Sequence, residues 1–174
     1  MESRKPRKTR SVTRIIRIPP EYFDAIDVGK NIFPDLFQLE NGLRLAINNF
    51  LTQCYGKEWW QLTLQEKLPN IAAYAEKQRT KQDSMPWLGA STNIEVLPIH
   101  LVTLGHLEEI VKTYQSECIP QLFPSLVFFL GHMEVIKRVR NMFSHMFPCI
   151  TRVDSVVARR EIRTLALHIN ARIA

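Results

Sequence analysis

The chain has 174 residues, 45% of them apolar and 23% charged, an ordinary globular composition with room for one real core. No apolar run reaches the ~18 residues that a membrane span needs, and the formal net charge is +6. That charge is localised: residues 1–17 hold Arg4, Lys5, Arg7, Lys8, Arg10, Arg14 and Arg17 against one acid, Glu2, which leaves basic and acidic side chains equal in number over the rest.

Residues 1–20 therefore read as a basic flexible or extended arm, and 21–174 as one helical domain. Such an arm can hold a phosphate backbone by releasing counterions, or it can simply be a solubilising terminus. It has no apolar core behind its basic residues, so no secretory leader is expected. "SVTRIIRIPP" (Ser11 to Pro20) is β-prone and stops at Pro19-Pro20, which suggests a short extended segment or a swapped arm.

From Leu36 the apolar residues recur at spacings of three and four (Leu39, Leu43, Ile47, Phe50, Leu51), predicting a first long helix to about Tyr55, closed by Gly56. Trp59 and Trp60 follow as core anchors. A second helix is expected from about Thr63 to Gln82, bent at Pro69, and Asp83 to Thr92 reads as a loop. A third helix is expected from about Val96 to Glu117, with Pro120 and Pro124 bracketing a connector. A fourth should cover Ser125 to Phe147, ended by Pro148. Asp154 can cap a fifth that runs nearly to Ala174. The pattern predicts an all-α bundle of four to five helices. Cys54, Cys118 and Cys149 are odd in number and widely spaced, as expected for reduced thiols in a cytoplasmic protein. No Cys/His cluster has zinc-like spacing, and no metal or cofactor is expected.

At 100° per residue, the fourth helix divides into an apolar arc (Phe129, Met133, Val135, Ile136, Val139, Met142, Phe143, Met146, Phe147) and a polar one (Glu134, Lys137, Arg138, Asn141, Ser144, His145). Arg140 breaks the division and falls at the edge of the apolar arc. A guanidinium keeps its charge at any ordinary pH, so burying it without a partner costs several kcal/mol. Arg140 must snorkel to water or meet an acceptor. On one straight helix Arg140 and His145 diverge by roughly 140° and about 7.5 Å, which is awkward for holding one ligand atom. Two copies of the helix about a two-fold axis could converge four such groups on one cleft. Glu40–Arg44 and Glu134–Arg138, each four apart, read as surface ion pairs. His100, His106, His132 and His168 read as surface or interhelical polar groups, with His132 the one that could also line the cleft.

Arg140-Asn141-Met142-Phe143-Ser144-His145 resembles the signature of the HEPN superfamily: an arginine, a polar residue that is often asparagine, and a histidine after four to six intervening residues. "LVTLGHLEEIVKTY", "FLGHMEVIKRVRNMFSHM" and the early "LENGLRLAINNFL" followed by paired tryptophans are similar to one subgroup of it, so the resemblance covers about Leu36 to Ala174. It implies a HEPN-like bundle of four to five helices that forms a homodimer through the motif helices. Many members are metal-independent endoribonucleases in toxin–antitoxin, abortive-infection or CRISPR-linked antiviral defence, with RNA as substrate and an antitoxin or sensor protein as partner. Others have lost activity and serve as RNA-binding or scaffold modules.

In the active case His145 would move a proton near neutral pH. Arg140 would hold the phosphate and stabilise charge developing on it, and Asn141 would orient the imidazole or donate to the phosphate. Arg138 is a rival for the arginine role, but Asn141 directly follows Arg140 as in the family pattern. Lys137, Arg138 and the arm residues Arg4, Lys5, Arg7, Lys8 and Arg10 are the expected RNA contacts. A subgroup controlled by nucleotidyltransferase antitoxins has a modified tyrosine two residues after the histidine. Phe147 stands at that position here, which argues against that mode of control.

Overall fold

The computed structural model describes residues 20–84, 96–144 and 152–173, and every regular element in them is helical. Residues 1–19 of the arm, the loop 85–95 and the stretch 145–151 lie outside the described residues, and with them the extended reading of Ser11 to Pro19, while Pro20, expected to end the arm, is helical.

Helix α1 spans Pro20–Tyr55, sixteen residues longer at its start than the periodicity from Leu36 suggested. Val28 and Ile32, both buried, extend the same stripe that continues through Leu36, Leu39, Leu43, Ile47 and Leu51, so the inward face begins well before the leucine-rich part. Pro20 is the first described residue of the helix, and its fixed φ suits a helical start. Gly56 ends the helix at φ +83°, with its N–H donating to the Thr52 carbonyl at 2.9 Å. This left-handed C-terminal position is one that side chains with a Cβ resist. Trp59 and Trp60 are buried as expected and meet edge to face at 5.4 Å. The Trp59 indole N–H donates to Asn48 Oδ1 at 3.3 Å, tying the turn back onto α1.

The chain then forms a π-helical turn at Trp60–Leu64, the short α2 (Gln65–Lys67) and α3 (Pro69–Asp83). The expected bend at Pro69 is present. Leu68 leaves the helical region at φ −133°, ψ 59°, because a residue before proline is crowded out of it.

The single third helix expected from Val96 to Glu117 is not what forms. The segment divides into a 3-10 turn (Pro98–Leu101), α4 (Leu104–Thr113) and α5 (Gln115–Leu122). Val102 and Thr103 are extended between the first two. The Thr103 hydroxyl caps α4 by accepting the His106 N–H at 3.3 Å. Pro120 sits inside α5 rather than in a connector, and the break falls at Phe123, ahead of Pro124. Helix α6 is Leu126–Ser144 and α7 is Arg152–Ile173, with Asp154 in the first turn of α7 rather than at its cap. The all-α class stands, with more and shorter pieces than four to five helices.

Helix α7 packs along α1 and α6, while α4 packs against α6 and α1. The Glu40–Arg44 pair forms, but not on the surface. Arg44 is only 11% exposed at its side chain, and it also donates to Asn41 Oδ1 at 3.2 Å and to the Val102 carbonyl at 2.9 Å. It thus pins α1 to the segment that feeds α4. The Glu134–Arg138 ion pair does not form among the described residues.

His100 and His106 each accept a backbone N–H at Nδ1, from Leu97 at 3.1 Å and from Thr103 at 3.3 Å. Only the neutral imidazole can accept there. Burial holds both pKa values below the ordinary 6.5, with Arg44 adding to the effect at His100 and Glu109 opposing it at His106. The unfolded chain binds these protons more readily, so stability falls as pH drops from about 6.5 through the lowered values. Urea unfolding of wild type beside a His100→Gln/His106→Gln variant tests this. The gap between their midpoints should change between pH 7.5 and 5.5, and a constant gap contradicts it.

Candidate functional site

Helix α6 carries the motif and is held on two sides. Phe129, Met133, Ile136 and Val139 are buried, one stripe of the expected apolar arc. Val135, Met142 and Phe143 on its flanks are half-buried. Toward α4, the Lys137 ammonium meets Glu108 Oε2 at 2.5 Å, and Lys112 meets Glu108 Oε1 at 2.7 Å. Burial pushes the Glu108 carboxyl up, but the two ammonium groups together outweigh it and hold it below the usual value. Toward α7, His132 Nδ1 pairs with Glu161 Oε2, and the Arg160 Nε donates to Glu161 Oε1 at 2.8 Å. Burial raises the Glu161 carboxyl, and the hydrogen bonds from Arg160 and His132 reverse that to a net lowering. The Phe128 ring lies edge-on between His132 at 4.4 Å and His168 at 4.9 Å. Thus His132 is an α6–α7 contact, eight residues and about 12 Å of helix from Arg140. Neither pair was legible in the sequence, because partners 29 positions apart leave no periodic trace.

At the far end of the same helix, Arg140 is half-buried and Asn141 and Arg138 are exposed. The Ser144 hydroxyl donates to the Arg140 carbonyl at 3.0 Å. Phe143 lies against α1 at Gly29, where an added Cβ would sit 3.1 Å from the ring, so a glycine is what lets the two helices approach this closely. His145 and the arm residues Arg4, Lys5, Arg7, Lys8 and Arg10 lie outside the described residues. Lys137, expected on RNA, already has its charge matched by Glu108, whereas Arg138 and Arg140 have no carboxylate partner among the described residues.

Arg140 differs from its equals. Arg44, Arg79, Arg140 and Arg159 are the half-buried arginines of the described residues. Arg44 serves Glu40 and Val102, Arg79 donates to the Val96 carbonyl at 3.2 Å, and Arg159 donates to Asp35 at 2.9 Å. The Arg140 guanidinium alone among them makes no hydrogen bond or ion pair within the described residues. A planar fork of N–H donors with no acceptor among the described residues is matched to a carboxylate or phosphate supplied from outside.

Among the described residues no group of three His, Cys, Asp or Glu side chains is placed to hold a metal ion. No single described helix is long and apolar enough to cross a membrane, and α5 with α6 would pass only as a pair bent by 83°. Cys54 is exposed and Cys118 buried, both as free thiols, and burial pushes Cys118 up to about 12. Comparison with family models, curated proteins and solved structures gives no match.

Proposed function

We propose that this protein is a metal-independent endoribonuclease of the HEPN type, acting in defence or toxin–antitoxin biology, in which Arg140, Asn141 and His145 cleave RNA at a cleft between two copies of α6. The observation that carries this reading is Arg140, a half-buried residue whose guanidinium has no acceptor among the described residues, next to an exposed Asn141 on a helix anchored on both flanks. Cleavage uses the neighbouring 2′-hydroxyl as nucleophile. A base takes its proton, an acid protonates the departing 5′-oxygen, and the products are a 2′,3′-cyclic phosphate and a 5′-hydroxyl. His145 exchanges the protons, Arg140 grips the phosphoryl oxygens as charge builds on them, and Asn141 orients the reacting groups. Arg138 and the basic arm draw in the polyanion.

The test is incubation of the full chain with RNA in EDTA, with end-group analysis of the products. Cyclic phosphate ends that arise in wild type and are lost in His145→Ala support the proposal. RNA binding without cleavage, falling steeply with salt, replaces it with a silent RNA-binding or scaffold module.

A further inference from the structure

Helix α1 carries an exposed pair of aromatic rings that no other described residue covers. Phe33 and Phe37 are 65% and 61% exposed, and their rings lie side by side with centroids 6.4 Å apart and planes 30° from parallel. At 100° per residue, both project roughly 100–140° from the buried Ile32. The α7 contact falls on another side, marked by the Asp35–Arg159 pair.

The rings adjoin the motif end of α6. Phe143 rests on Gly29, Phe33 is one turn along α1 from Gly29, and Arg140 is one turn before Phe143 on α6. The ring pair and the unpartnered guanidinium are therefore on the order of 10–15 Å apart across one helix contact, by helical rise and width.

Leaving two phenyl rings in water has a cost that an apolar partner would remove. Lys30 and Asn41, both polar, flank the rings on the same helix, and Ile26, 43% exposed, continues their stripe two turns earlier. What is offered is two flat aromatic faces edged on one flank by polar side chains. The segment that feeds α1 at Pro20 carries seven basic residues, the complement of a polyanion. Flat aromatic faces on a chain with a basic segment and the Arg140 guanidinium suit a single strand, whose bases stack and whose phosphates are held.

We propose that Phe33 and Phe37 form a platform on which unpaired bases of a single-stranded RNA stack, while Arg140 holds a phosphate a few nucleotides away. The phosphate contact rests on the reading of Arg140 above; the stacking does not require turnover.

The experiment uses the full chain and a labelled single-stranded oligoadenylate, its duplex with oligouridylate, and inorganic polyphosphate. Phe33→Ala/Phe37→Ala is expected to bind the single strand about tenfold or more weakly, with an unchanged slope of affinity against salt. The two side chains are exposed, so folding should be unaffected. In Phe33→Trp, the added fluorescence should be quenched by the single strand and not by polyphosphate. Unchanged affinity in the double variant overturns the proposal, as does a duplex that binds as tightly as the strand, or equal quenching by polyphosphate. Loss of self-association in the double variant with RNA binding intact also overturns it and makes the face a contact between copies. Phenylalanine-dependent binding without cleavage ends the nuclease reading and keeps the platform. Cleavage and binding indifferent to both rings do the reverse.

Discussion

Replacing Arg140 by alanine is expected to lower EDTA-resistant RNA cleavage by about 10²–10³-fold, the scale of losing one preorganised donor to developing charge. His145→Ala is expected to lower it by about 10²–10⁴-fold, the scale of a general acid–base group. Arg140→Lys should fall between, since it keeps the charge and loses the planar fork. The same substitutions should leave thermal stability almost unchanged at position 140. The Arg140 guanidinium has no partner within the described residues, so its removal breaks no hydrogen bond among them. Arg44→Ala is the contrast. It strips donors from Glu40, Asn41 and the Val102 carbonyl and leaves a largely buried carboxylate unpaired, a costly change. Activity lost with the fold intact at Arg140, and stability lost at Arg44, would separate a site from a strut. Cleavage by Arg140→Ala equal to wild type removes Arg140 from the mechanism.

The largest effect on stability is expected on α6 itself. Phe129 is fully buried and packs on Phe123 with ring centroids 4.6 Å apart. Phe129→Ala should cost about 3–5 kcal/mol through lost transfer energy and the cavity left behind. In a chain of this size each kcal/mol shifts Tm by roughly 2–4 °C, so the midpoint should fall by about 6–20 °C. Two residues earlier on the same helix, Val127 is 81% exposed, and Val127→Ala should stay within about 0.5 kcal/mol. Thermal melts followed by circular dichroism read both. Similar shifts for the two would mean that α6 is not seated by the face that holds Phe129.

The inward stripe of α6 and the burial of Trp59 and Trp60 were legible in the sequence, because local periodicity and size already encode them. So were the Gly56 stop and the bend before Pro69, where backbone chemistry acts within one or two residues. The early start of α1 was missed although Val28, Ile32 and Leu36 keep a helical spacing of four, because Pro34, a residue that ordinarily breaks a helix, lies inside it. The division around Val102 and Thr103 was missed for a different reason. A run of leucines at helical spacing hides a capping threonine whose partner, His106, only matters once the chain turns there. The Arg44 network, the Glu108 bridge to Lys137 and the His132–Glu161 pair depend on helices meeting in space, which no single-helix reading contains. As for the candidate site, spacing identified Arg140 as the odd cation on α6. Only the fold adds that Arg44, Arg79 and Arg159 have acceptors where Arg140 has none among the described residues.

Helical spacing makes it awkward for Arg140 and His145 of one copy to hold the same phosphate atom, so the proposed cleft brings the two groups together from different copies of the chain. Mixing Arg140→Ala protein with His145→Ala protein tests this most directly. Each alone should be inactive on RNA in EDTA. After subunit exchange, the mixture should regain a fraction of wild-type cleavage, because one copy supplies the guanidinium and the other the imidazole. An inactive mixture in which mixed dimers are shown to form, or a wild-type chain that cleaves as a monomer, would contradict it.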